Sequence, residues 1–210
     1  IRAGDVYQIN FTTKLRFRFE GSALSLYRWL KAKQRVPYSA IVKTADMTVL
    51  SFSPELFFRR TGSTLICKPM KGTLRRGLTT KEDDRLAQML RHDEKNCAEN
   101  LMITDLIRND LGRVAKCGSV SVPALFEVER YETLWQMTST VQAELQDSKT
   151  YLELFKAIFP CGSITGAPKI RAMQIIGELE KEPRGIYTGA IGFISPHQEA
   201  VFNVAIRTVV

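Results

Sequence analysis

No stretch of this 210-residue chain approaches the ~18 consecutive apolar residues of a membrane-crossing helix, which excludes a transmembrane span. Cysteine is scarce. The four residues at 67, 97, 117 and 161 form no Cys-x-x-Cys pair, and only His92 and His197 stand by as soft ligands, so neither a zinc site nor a disulfide framework is legible. Reduced, partly buried thiols in a cytoplasmic protein are the expectation. Internal repeats, Pro/Ser-rich linkers and low-complexity tracts are missing too, which excludes collagen-like, mucin-like and disordered chains.

What is present is ordinary for a globular protein: 44% hydrophobic and 25% charged residues, enough chain for one large domain or two small ones. Thirty Lys+Arg against 22 Asp+Glu leave a net charge of +8. The basic residues are dispersed, with Arg28, Lys31, Lys33 and Arg35 reading as the wet face of one helix. No RNA-binding aromatic signature or basic zipper accompanies them, so nucleic acid is not an expected partner. A moderate positive field suits a small anionic substrate instead. No leader is legible and Ile1 opens within a strand-like phrase, so the chain is expected to be a fragment.

Alternation over residues 5–19, with Val6, Gln8, Asn10 and Thr12 on one side, predicts a strand with a polar face. Residues 22–35 read as a helix with Leu24, Tyr27 and Leu30 inward, stopped by Pro37. Strands are expected at 38–44 and 47–52 about Asp46, and at 55–60 and 64–69 about Gly62. One long helix is expected over 81–111, then short β segments over 113–145. Thr150 and Glu153 make a capping box for a helix that Pro160 closes. Pro168 is a good first helical residue, ahead of a stripe of Ile170, Met173, Ile176 and Leu179. A hairpin is expected between 186–195 and 200–210, turning at Pro196-His197-Gln198.

Four features could carry chemistry. Lys71, in Lys68-Pro69-Met70-Lys71-Gly72-Thr73 at a strand end, is a nucleophile if a desolvated pocket keeps its amine neutral, and otherwise a surface lysine. Glu99 shares a helix face with Met102, Ile103 and Leu106; it either pairs weakly with Lys95 or offers oxygen to a hard cation such as Mg²⁺. The Gly162–Pro168 loop, opening a helix, is an anion site suited to a carboxylate, or a structural helix start. Arg207, on the strand face of Asn203 and Ala205, is aimed at a carboxylate or else lies on an edge in solvent.

Together, Pro69-Met70-Lys71-Gly72-Thr73, Ala98-Glu99-Asn100-Leu101-Met102, Arg108-Asn109-Asp110-Leu111-Gly112-Arg113-Val114, Ser163-Ile164-Thr165-Gly166-Ala167-Pro168-Lys169 and Ile206-Arg207-Thr208 occur in an order that resembles the chorismate-utilising enzymes. The resemblance runs over residues 1–210. It implies an α+β domain of orthogonally packed, mainly antiparallel sheets flanked by helices, incomplete at both ends. Within the family the pattern is most similar to component I of the aminodeoxychorismate synthases, of the para-aminobenzoate branch of folate synthesis. Lys71 stands where the anthranilate synthases have alanine. Gln8 stands where isochorismate and salicylate enzymes place the lysine that activates water, which implies ammonia as the nucleophile. Gln136 stands where anthranilate synthases have histidine.

The roles that the resemblance implies are Lys71 as nucleophile at C2 of chorismate and Glu55, in Ser53-Pro54-Glu55, as acid/base. Mg²⁺ held by Glu99 would grip the ring carboxylate, and Arg207 and Tyr187 the enolpyruvyl carboxylate. Gln8, Gly72, Thr73, Thr165 and Gly166 would line the pocket. Ammonia would come from a glutamine amidotransferase subunit. The family's glycine-rich loop and further metal-binding glutamates are expected beyond Val210. Anthranilate and isochorismate synthesis are the rival activities.

Overall fold

The computed structural model describes residues 1–197 and 199–210. Gln198, in the expected hairpin turn, lies outside the described residues. Of the strand expected over 5–19 only β1 (Gln8–Ile9) forms, because among the described residues its sole partner is the two-residue segment Gly166–Ala167. In α1 (Ala23–Lys33) Tyr27 is buried and stacks on Phe52 with ring centroids 5.2 Å apart, whereas Leu24 faces solvent.

Turn chemistry dictates the next hairpins. Strands β2 (Tyr38–Lys43) and β3 (Thr48–Ser53) meet about Asp46, closed by a 2.9 Å bond from the Thr44 N–H to the Met47 carbonyl. Strands β4 (Leu56–Thr61) and β5 (Thr64–Lys68) meet about Gly62, whose φ of 59° a side chain would disfavour. Beyond Pro69 the chain continues as β6 (Met70–Arg75), so Lys71 lies inside a strand rather than at the end of one.

The single helix expected over 81–111 is two: α2 (Thr80–Arg91) and α3 (Glu94–Gly112). Asp93 caps the second, its carboxylate accepting from the Asn96 N–H at 2.8 Å. A capping aspartate competes with helix continuation, while the hydrophobic period runs on through the break and hides it. The short β segments expected over 113–145 are instead one long hairpin, β7 (Ser121–Arg130) and β8 (Leu134–Glu144). The capping box is present: α4 (Tyr151–Ile158) begins with Thr150 and Glu153 bonded reciprocally.

A 3-10 turn at Gly162–Ile164 leads to β9 (Gly166–Ala167) and α5 (Lys169–Leu179). Pro168 is the extended residue capping α5, not its first helical residue. Of the expected stripe only Ile176 is buried, because the inner face of α5 is set by Ala172, which packs close to Gly166. The last hairpin, β10 (Ala190–Ile194) with β11 (Ala200–Val204), is shorter than expected; β12 (Thr208–Val209) leaves it to pair with β3.

Among the described residues every ladder is antiparallel. The large sheet runs β10-β11-β4-β5-β8, with β5 and β6 end to end on one edge of β8 and β7 on the other. Its inner face packs Phe58, Leu65 and Val141 against Ile103 and Leu111 of α3 and Leu154 of α4, each large apolar side chain contributing roughly 1.5–3 kcal/mol. Among the described residues no helix is long and apolar enough to cross a membrane. All four cysteines are free thiols, as expected, and burial pushes Cys161 up to about 12.

Candidate active site

Lys71 is carried on a β-bulge. Met70 faces Thr138 and Thr73 faces Gln136, so β6 has one residue more than β8 between those pairs. Gly72 absorbs the irregularity at φ 90°, and a Cβ there would lie 3.0 Å from the Asn96 side chain. Bulges re-aim side chains. Here the half-buried amine turns toward β1, where Nζ donates to Asn10 Oδ1 at 3.4 Å. Burial holds the Lys71 ammonium below the ordinary lysine value, against the opposing pull of Glu55, Glu99 and Cys161. Loss of its proton makes an amine nucleophilic.

Glu55 sits in the link between β3 and β4, its N–H donating to Ser53 Oγ at 3.1 Å. It is 3% exposed, and burial raises its pKa to about 7; the Ser163 hydroxyl, nearby Lys71 and the Met70 N–H oppose that rise without cancelling it. Its Oε1 is buried without a hydrogen-bond partner among the described residues, as are Gln8 Oε1 and Asn10 Nδ2. Gln8 and Asn10, two residues apart on an extended segment, project to one side. A carboxyl group poised near neutrality, a depressed amine and orphaned polar atoms therefore converge at one place. Such a site suits proton transfer coupled to nucleophilic attack on a bound small molecule.

The Ser163–Lys169 segment closes this region against β1. Asn10 and Tyr7 donate their N–H groups to the Thr165 and Ala167 carbonyls at 2.9 and 2.8 Å. Gly166 has φ 143°, and a Cβ would come within 2.2 Å of the Gln8 carbonyl, so only glycine fits. The Thr165 hydroxyl donates to the Cys161 carbonyl at 3.0 Å and is buried in its own loop. Lys169 forms a buried ion pair with Asp110 of α3 and donates to the Ile158 carbonyl, pinning the start of α5 to the core. Burial raises the Asp110 pKa despite that partner.

Glu99 is half-buried on α3, with Lys95 3.9 Å away, and its charge reaches Lys71. Among the described residues no group of three or more His, Cys, Asp or Glu converges on a metal position. The donor offered at Glu99 is thus a single carboxylate. That fits Mg²⁺, which keeps several waters and takes one or two protein carboxylates alongside substrate oxygens.

Arg207 is not on the polar face of a strand. β11 ends at Val204, and Arg207 takes φ 50° between β11 and β12, exposed. It borders a cleft of about 60 Å³ with Pro54, Tyr131 and Gln136. Tyr187 precedes β10 in a turn and lines a different cavity of about 540 Å³, with Thr165, Ile164 and Arg184. The fold thus brings Lys71, Glu55 and Asn10 together, sets Arg207 and Gln136 on one cleft, and puts Tyr187 on a separate cavity with Thr165.

Asn10, Ser163 and the Asp110–Lys169 pair were not singled out from sequence. The polar alternation through Gln8 and Asn10 was the available signal for the first. Ser163, Asp110 and Lys169 lie within the quoted motif segments, but nothing local pairs them with Glu55 or with each other.

The family described as chorismate binding enzyme matches residues 1–210. Aminodeoxychorismate synthase component 1 of Bacillus subtilis is 42% identical over 209 residues, covering 100% of this chain and 44% of that protein. Anthranilate synthase component 1 of Aquifex aeolicus is 43% identical over 210 residues, covering 100% of this chain and 42% of that protein. The crystal structure of anthranilate synthase component I from Streptococcus pneumoniae superimposes with a TM-score of 0.86 at 34% identity, over 99% of this chain and 46% of that one. The chain spans less than half the length of each of these relatives. With the family pattern matched from end to end and such identity sustained along the whole chain, the protein belongs to the chorismate binding enzymes.

Proposed function

We propose that the complete protein aminates chorismate at C4, giving 4-amino-4-deoxychorismate through a covalent intermediate on Lys71. The observation that carries this reading is Lys71 itself, a partly desolvated amine on a bulge beside the buried acid Glu55. The relatives' identities, 42% and 43%, do not choose between an aminodeoxychorismate and an anthranilate synthase. Lys71 supports the first, since direct amination at C2 has no use for an amine at that place.

In the first step neutral Lys71 Nζ bonds to C2, the ring double bonds shift, and the C4–O bond breaks. Glu55 gives its proton, so the hydroxyl departs as water. In the second step ammonia bonds to C4, the double bonds shift back, and the C2–N bond breaks to free Lys71. The Glu55 carboxylate then takes the proton that the new ammonium sheds. Chorismate and ammonia are consumed; the aminated product and water are formed. A value of about 7 leaves Glu55 divided between acid and base at neutral pH, which serves both halves. Glu99 would supply one ligand to Mg²⁺, whose charge would hold the ring carboxylate and draw electron density from the ring. A glutamine amidotransferase would deliver the ammonia.

Incubating the complete gene product with chorismate, Mg²⁺ and ammonium, with products read by mass spectrometry, tests the assignment. The expected outcome is 4-amino-4-deoxychorismate, a chorismate-derived adduct on Lys71 when ammonia is withheld, and loss of both in Lys71→Ala. Anthranilate with pyruvate, or a hydroxylated product formed without ammonia, would overturn it.

A further inference from the structure

We propose that Gln136 is a positioning residue that clamps the backbone bearing Lys71, an inference that rests on Lys71 being the reacting amine. A bulge removes regular ladder partners from the strand that carries the extra residue. In β6 that strand segment is Lys71 and Gly72. The side chain of Gln136, directly across from Thr73 on β8, supplies what the ladder lacks. Its Nε2 donates to the Gly72 carbonyl at 2.9 Å, and its Oε1 accepts from the Thr73 hydroxyl at 2.9 Å. A carbonyl only accepts, so the amide nitrogen must face Gly72, which leaves the oxygen for Thr73.

One buried amide thus fixes the two residues that follow Lys71. Gln136 is 8% exposed, and the two bonds it makes are partly shielded from water. Glycine at φ 90° has no Cβ of its own to limit rotation of that peptide. Without the clamp, the Gly72 peptide turns and carries the Lys71 Cα with it, drawing Nζ away from Asn10 and Glu55. A misplacement of about 1 Å at a reacting group costs roughly 10²-fold in rate. Gln136 also borders the cleft that holds Arg207, so the clamp joins the amine to that cleft through a single side chain. The acidic isostere cannot replace it, since an ionised carboxylate has no proton to offer the Gly72 carbonyl.

The test compares wild type with Gln136→Met and Gln136→Glu in the complete gene product. Three quantities are measured: the rate of adduct formation on Lys71 without ammonia, KM for chorismate, and the pH midpoint for competitive acetylation of Lys71 by acetic anhydride. Both variants are expected to form the adduct about 10²-fold more slowly, with chorismate KM within about threefold of wild type. The acetylation midpoint is expected to climb toward the ordinary lysine value of about 10.4 as the amine swings out to water. A folded variant with wild-type adduct rate and unchanged midpoint would overturn the clamp. If wild type forms no adduct, the nucleophile assignment falls instead, and the acetylation midpoint alone then decides for or against the clamp. Gln136→Glu retains side-chain shape and carries the test if the methionine variant does not fold.

Discussion

Replacing Glu55 by Gln removes a buried acid while keeping its shape, and the consequence for stability follows from its titration. Burial shifts the group from the ordinary 4.5 to about 7, so the folded chain holds this proton more tightly than the unfolded chain does. The stability linked to that proton is present below about 4.5 and is lost as pH rises through about 7. At about 1.4 kcal/mol per pH unit, wild type loses roughly 2–3 kcal/mol between about pH 5 and about pH 8.5 that Glu55→Gln keeps. In urea, with a slope of about 2–3 kcal/mol per molar, the gap between the variant's and the wild-type midpoints widens by about 1 M over that interval. Using the change of the gap with pH cancels any fixed cost of the new amide. Turnover of chorismate falls about 10²–10⁴-fold in the same variant, as expected for loss of an acid/base group. Parallel midpoints at the two pH values would refute the claim that Glu55 is buried as a titrating acid.

Lys169→Met strands Asp110 in the core and is expected to cost about 3–5 kcal/mol in urea unfolding at neutral pH, with much of the loss restored by adding Asp110→Leu; a change below about 1 kcal/mol would show the pair to be solvated. Gly166→Ala forces a Cβ into the Gln8 carbonyl at a strained φ, so it is expected to lower the melting temperature by several degrees, about 1–3 kcal/mol, and to weaken chorismate binding as β1 parts from β9.

Much of the scaffold was legible because the signals are local. Asp46 and Gly62 mark their hairpins, and Thr150 with Glu153 marks α4. Asp93 hid inside a helical period, since a cap requires the chain to leave the helix only briefly. The long alternation over 5–19 overstated β1, because pairing needs a partner, and among the described residues that partner is Gly166–Ala167 alone. Arg207 followed the strand pattern on paper; its left-handed backbone has no residue-type signal, arginine being unusual there. At the site, Lys71 and Glu55 could be named from motifs, but their physical states could not. The depressed amine depends on burial beneath β1, and Asn10 is 61 residues away along the chain. Ser163 reaches Glu55 from a turn more than a hundred residues later, which no local window records.

Strand β8 serves three neighbours at once, with Gln136 and Thr138 beside the lysine bulge and Val141 and Ala143 in the apolar interior. Chemistry and scaffolding therefore share one girder. Breathing that detached this strand would have to unseal its far end from the core, so the strand that Gln136 belongs to is held where opening is costliest. The Lys71 amine inherits the rigidity of the whole sheet.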